Sequence, residues 1–186
     1  WCLGSSADHH REFHKLFVET DFDDNLNAML ATKRLWEIPL SKRGHWNIEY
    51  PYLGFISSNK KIVDYDGDKE TFIGQYGSIN KPNGLFQNKL DKRIGKWNDS
   101  IATVKVNLNI KANESDDVAF YIGLKDSREK IQSSLNQFKS KEQIKDSLEN
   151  VKQRWNDLLN PLEVNTPDEA LNFLVNKWLR YQAIAG

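Results

Sequence analysis

The strongest constraint on the fold is a change of period near Asp126. Before it, apolar and polar residues alternate. In "TVKVNLNI", Val104, Val106, Leu108 and Ile110 fall on one face while Lys105, Asn107 and Asn109 fall on the other, the spacing of a strand with one wet side. After "KANESD" the alternation resumes in "VAFYIGL" with Val118, Phe120, Ile122 and Leu124, so the two runs read as a hairpin. The upstream runs "NAMLATKRLW", "NIEYPYLGFIS" and "TFIGQYGS" are rich in aromatic and branched residues, and turn-formers such as "YDGD" and "NKPNG" separate them. Several such strands between about Asn27 and Lys125 predict an antiparallel β-sandwich.

From Asp126 onward the spacing is three and four. Asp126 is placed to cap a helix with Glu129 three residues on, and Ile131, Leu135 and Phe138 form a narrow apolar stripe. A second start at Ser140 carries Gln143 at the capping-box position, and Ile144, Leu148, Val151, Trp155, Leu158 and Leu159 continue the stripe to the stop at Asn160-Pro161. A third start reads Thr166 as cap, Pro167 as first helical residue and Glu169 closing the box, with Leu171, Leu174, Trp178 and Tyr181 on one stripe. Trp155 and Trp178 are accordingly expected to pack against neighbouring helices. Helices this dry on one face need a partner.

Composition removes several functions. Lys plus Arg and Asp plus Glu both count 26, so no net field attracts nucleic acid, and no aromatic-basic RNA signature is present. The single cysteine, Cys2, rules out an internal disulfide framework, and no apolar run reaches the ~20 residues of a membrane span. A reduced, cytoplasmic setting is expected. The sequons at Asn98 and Asn113 would matter only in a secreted eukaryotic context. The start at Trp1 and the close at Gly186 on a helical pattern are expected to mark a fragment. P-loop, dinucleotide fingerprint, nucleophile elbow and Cys-x-x-Cys pair are all missing.

Two stretches imitate metal sites. In "DHHREFHK" His10 and His14 have the spacing of a helical zinc pair, but Glu12 sits at the third position of the pair, off the face that a base would need. "DYDGDKE" places Asp64, Asp66, Asp68 and Glu70 at alternate positions like the start of a calcium loop, yet Gln75 stands where the loop needs its closing glutamate, and a turn is the expectation. The acidic residues read as turn and surface groups, so no catalytic acid or base is assigned. The six tryptophans read as core filler or as sugar-stacking platforms.

In order along the chain, "WCLG", "HREFHKLF", "LATKRLWE", "YDGDKETFIGQYGS", "KWNDSIA" and "VNTPDEALNFLVNKWLRYQ" resemble the N-terminal region of the inverting disaccharide phosphorylases of glycoside hydrolase family 94, the cellobiose and chitobiose phosphorylases. The most specific pieces are D-x-D-x-x-x-F-x-G-x-Y, from Asp66 to Tyr76, and N-x-W-x-x-Y-Q, filled by Asn176, Trp178, Tyr181 and Gln182. The resemblance implies a sandwich domain over 1–125 (its C-terminal part), a helical linker over 126–164, and the start of an (α/α)6 catalytic barrel over 165–186. It implies phosphorolysis of a β-linked disaccharide or oligosaccharide with inversion to an α-sugar 1-phosphate, with inorganic phosphate as co-substrate and no cofactor or metal.

In that family a barrel aspartic acid protonates the glycosidic oxygen while phosphate attacks from the opposite face, taking the place of the base-activated water of an inverting hydrolase. No carboxylate here matches that acid. The segment matching "HREFHK" reaches across a homodimer to the partner's acceptor site, so His14 and Lys15 are implied as acceptor contacts, standing where relatives have Gln and Arg. A stand-alone carbohydrate-binding module, a purely dimer-forming role and a phosphorylase-like module of a glucan synthase remain alternatives.

Overall fold

The computed structural model describes residues 1, 3, 15–33, 50–160 and 163–185. It comprises two compact units, Trp1–Gln137 and Phe138–Gly186. Among the described residues the first unit contains six strands: β1 (Val18–Asp23), β2 (Ala28–Lys33), β3 (Leu53–Ser58), β4 (Ile62–Asp68), β5 (Ser100–Val106) and β6 (Phe120–Lys125). One sheet has the order β1-β2-β3-β6 and the other pairs β4 with β5, all neighbours being antiparallel. The sandwich expectation holds.

Side-chain chemistry fixes the connections. At the β1–β2 turn the Asp23 carboxylate accepts from the amides of Asn25 and Leu26 at 3.0 and 3.1 Å, and Asn27 takes a left-handed φ of 50°. The Asn27 amide then donates to the carbonyls of Ser58 and Lys60 and accepts from the Ile62 amide at 2.8 Å, clamping the point where the chain leaves one sheet for the other. On one side of the large sheet Leu26, Ala28, Leu30 and Phe55 are buried against Ile131 and Leu135 of helix α2 (Arg128–Asn136); α1 is the short helix Lys69–Ile73. The leucine, isoleucine and phenylalanine side chains each contribute about 1.5–3 kcal/mol by leaving water. A second buried group joins Val18, Ala31 and Leu3 with Trp1 and Tyr50.

Four local expectations are corrected. The 104–124 hairpin does not form: β5 pairs with β4, β6 pairs with β3, and residues 107–119 carry the chain between sheets. Alternation fixes which face a residue takes but not which strand it pairs with, and Ile56 meets Ile122 across β3–β6. "TFIGQYGS" is not a strand, because Asp68 caps α1 by accepting from the Glu70 amide and Gly74, at φ 77°, ends the helix. "DYDGD" is a strand, not a turn. The strand run also begins earlier than Asn27, at Val18.

The compact sandwich unit runs past Lys125 to Gln137 because α2 supplies Ile131 and Leu135 to its core. The α2 cap is Ser127 instead of Asp126, whose carboxylate pairs with Lys130. Arg128 binds Asp21 and Asp23, fastening α2 to β1.

The second unit contains α3 (Lys141–Leu159), α4 (Glu169–Phe173), a π-helical turn (Leu174–Trp178) and α5 (Leu179–Ala185). The capping box at Ser140 and Gln143 forms as expected, with bonds of 3.2 and 3.0 Å. The next cap falls at Asp168, which accepts from the amides of Ala170 and Leu171, so the cap sits two residues beyond the expected Thr166. Among the described residues of this unit, none is buried. No described helix is long and apolar enough to cross a membrane.

Candidate functional site

The acids of β4 were read as turn or surface groups, and the strand turns them inward. Asp64, Asp66 and Asp68 are all buried, Asp66 to 1% exposure, while Val63 and Tyr65 take the other side. Each is used as a backbone receptor. Asp64 accepts from the Leu90 amide at 2.6 Å, Asp66 from the Asp68 amide at 2.9 Å, and Asp68 from the Glu70 amide while its second oxygen lies 3.3 Å from Arg93. Burial pushes the Asp66 carboxyl up from the ordinary carboxylate value, with the charges of Asp68 and Asp91 adding to it against two backbone hydrogen bonds. The row therefore pins loop 90–93 and the start of α1 to the sandwich. Among the described residues no group of three or more His, Cys, Asp or Glu side chains could hold a metal ion.

The other acidic locus lies at the end of a single 3-10 turn, Lys15–Phe17, that leads into β1. Lys15 Nζ is 3.7 Å from Asp99 Oδ2, and Lys69 Nζ is 3.1 Å from the same oxygen. The Lys69 amide also donates to the Asp99 carbonyl at 3.1 Å. Burial alone would raise the Asp99 carboxyl, but the hydrogen bond from Lys69 and the Lys15 charge outweigh it and hold the group below its ordinary value. His14, like His9, His10 and the rest of the zinc-like stretch before Lys15, lies outside the described residues.

The loop that carries Asp99 is tied down at both ends. Thr20 and Gly95 exchange backbone bonds of 2.9 Å each, and the Ser100 hydroxyl faces the Val18 carbonyl at 3.5 Å and the Asn98 side chain at 3.1 Å. Between these anchors Trp97 adopts φ 67° and is 66% exposed. A bulky residue in the left-handed region costs on the order of 1–3 kcal/mol, which the surrounding bonds must hold in place.

The N-x-W-x-x-Y-Q motif separates into different roles. Asn176 accepts from the Val164 amide at 2.8 Å and donates to the Val164 carbonyl at 2.7 Å, and Asn172 makes the same pair of bonds to Thr166 at 2.8 Å each. Two asparagines one turn apart thus hold segment 164–166 as a strand partner would. Their amides are committed to the backbone. Tyr181 lies 5.7 Å from Trp155 and 6.0 Å from Trp178, ring centre to ring centre. Trp155 is half-buried, but Trp178 is 50% exposed, so its expected burial is not met in this unit. The π turn closes with the Leu179 amide donating to the Leu174 carbonyl, which inserts an extra residue into the helical stripe just before Trp178 ends the turn. Gln182 is exposed.

Sequence reasoning missed two features here. It gave no signal for the Asp99 bridge, whose partners come from distant parts of the chain, and it read Trp97 only as one tryptophan among six. The strained φ is visible only in the backbone.

Residues 1–141 match the family model for the glycosyl hydrolase 94 supersandwich domain. The chain is 25% identical over 186 residues to the cyclic beta-(1,2)-glucan synthase NdvB of Rhizobium meliloti, covering 99% of this chain and 6% of that protein. It is 19% identical over 131 residues to solabiose phosphorylase of Paenibacillus borealis, covering 70% of this chain and 17% of the relative. It is 21% identical over 135 residues to N,N'-diacetylchitobiose phosphorylase of Vibrio furnissii, covering 71% and 16%. The chain therefore spans only a small part of the length of these relatives. With a sandwich of two antiparallel sheets lying under a supersandwich match that covers most of its residues, the chain belongs to glycosyl hydrolase family 94.

Proposed function

We propose that this chain is the acceptor-side part of a cytoplasmic carbohydrate phosphorylase that splits a β-linked disaccharide or oligosaccharide with inorganic phosphate, inverting the anomeric carbon to give an α-sugar 1-phosphate. The observation that carries the reading is the supersandwich match over residues 1–141. Phosphorylase relatives at low identity support it. In this reading residues 1–125 belong to the sandwich, 126–164 form a helical linker and 165–186 open an (α/α)6 barrel. The proton for the leaving oxygen comes from that barrel, and phosphate serves as nucleophile without any cofactor.

The sandwich acids suit that division of labour, because Asp64, Asp66 and Asp68 are buried and each holds a backbone amide. Lys15, with His14 before it, meets the acceptor sugar across a homodimer. A charge-assisted hydrogen bond is worth roughly 1.5–3 kcal/mol, so Lys15→Ala in the full-length polypeptide lowers acceptor kcat/KM about ten- to a hundredfold while sugar 1-phosphate binding stays nearly constant.

A second reading, a phosphorylase-like module of a glucan synthase, is favoured by one observation: the glucan synthase match runs over 99% of the chain, the helical unit included. Phosphorus NMR of the full-length polypeptide with excess phosphate and cellobiose, N,N'-diacetylchitobiose or β-1,2-gluco-oligosaccharides separates the readings. An α-sugar 1-phosphate signal from a disaccharide supports the first, and a signal confined to β-1,2-glucans supports the second. Hydrolysis at an equal rate without phosphate would contradict both.

A further inference from the structure

Trp97 combines three properties. Its ring is 66% exposed, its backbone is held at φ 67°, and the loop on either side is anchored to β1 through Thr20, Gly95 and Ser100. A core tryptophan would be covered, and a fraying loop would relax to a commoner conformation. Residues kept in sparsely populated backbone regions by their surroundings cluster at ligand clamps. Two residues on, Asp99 receives the ammonium groups of Lys69 at 3.1 Å and Lys15 at 3.7 Å.

We propose that loop 95–100 is a sugar-binding wall beside Lys15, with Trp97 as the stacking platform for a pyranose ring and Asp99 as the positioning residue that fixes the Lys15 ammonium. The inference rests on the acceptor-side reading of Lys15 and extends it to residues outside that segment. The ligand class follows from the chemistry. A wide indole face takes the apolar C–H face of a pyranose, while ammonium groups donate to its hydroxyls and the carboxylate accepts from them. Lys15 and Lys69 share one oxygen of Asp99, so the carboxylate sets where both ammonium groups sit. Trp97 touches the acceptor directly, and Asp99 acts through Lys15.

The test is synthesis by the full-length polypeptide, read as phosphate released from α-glucose 1-phosphate or its N-acetylglucosamine counterpart. Glucose, N-acetylglucosamine and sophorose serve as acceptors. Trp97→Asn keeps a residue that tolerates the left-handed region and removes the ring. It should raise acceptor KM roughly three- to tenfold, leave the KM for sugar 1-phosphate within about twofold, and leave the melting temperature equal or higher. Trp97→Phe should restore most of the acceptor affinity. Asp99→Asn should raise acceptor KM in the unaltered background and have no further effect when Lys15 is already alanine.

Phosphate release with acceptor KM unchanged in Trp97→Asn overturns this inference and leaves the phosphorylase reading standing. An equal rise in KM for both substrates also overturns it, since the ring would then act on the fold. No release from the unaltered polypeptide with any acceptor overturns the phosphorylase reading, and this inference with it.

Discussion

Helices α2 and α3 follow one another in the chain, and both carry an apolar stripe at helical spacing, yet they meet opposite fates. In α2, Ile131 is fully buried and Leu135 nearly so, because the stripe faces Leu30 and Phe55 on the large sheet. In α3, Leu148 is 54% exposed and Val151 and Leu158 are close to it. The same local pattern closes a core in one place and offers a surface in the other. Amphipathic spacing therefore records that a helix needs a neighbour without identifying it. The sheet teaches the converse, since in β4 the residues turned inward are aspartates, admissible because backbone amides from loop 90–93 and α1 reach them.

The largest effect that would break this comparison lies in the cores. Phe55→Ala should cost about 3–5 kcal/mol of stability, since the ring is buried among Leu30, Ile131 and their neighbours. Leu148→Ala on α3 should cost less than about 1 kcal/mol in residues 1–186. Urea denaturation of both variants makes the check, and similar losses would erase the contrast between the helices.

A smaller effect is expected inside the helical unit. Asn176→Ala removes two bonds to Val164 and should cost about 1–2 kcal/mol, with faster hydrogen exchange at the Val164 amide than at Thr166, which Asn172 still holds. Equal exchange at both amides would mean that the asparagine pair does not organise this segment.

The smallest effect is a pH dependence. The Asp66 carboxyl is raised by burial, so the folded state holds its proton at pH values where the unfolded chain has lost it. Stability from this group is present below the ordinary aspartate value, near ~3.9, and is lost as pH rises through the folded value. Stability measured from pH 4 to 7 should fall relative to Asp66→Asn as pH rises. A gap that stays constant across this range would remove burial as the governing influence on Asp66.

What could be read in the sequence follows the range of the interactions. The Ser140–Gln143 box was legible because donor and acceptor lie three residues apart. The sandwich class was legible from alternation, and the apolar stripe of α2 from its spacings of three and four. Strand partners were not, because Phe120 and Ile122 carry the same pattern whichever strand lies beside them; β6 pairs with β3, and Ile122 remains 76% exposed. The cap after Pro167 was misplaced since Thr166 is drawn to Asn172, a competitor that lies inside the next helix. Lys15 could be named from resemblance alone, while Asp99 and Lys69 joined it only through the tertiary fold.

In the function proposed above, this chain positions sugar and the proton comes from the barrel. That division is tested most directly by assaying residues 1–186 and the full-length polypeptide side by side for sugar 1-phosphate release from β-linked disaccharides and β-1,2-gluco-oligosaccharides in excess phosphate. Residues 1–186 should give a buffer-blank rate and the full length phosphate-dependent turnover. Turnover by residues 1–186 clearly above the blank would contradict that division, since one of the buried or paired carboxylates would then be acting as the acid.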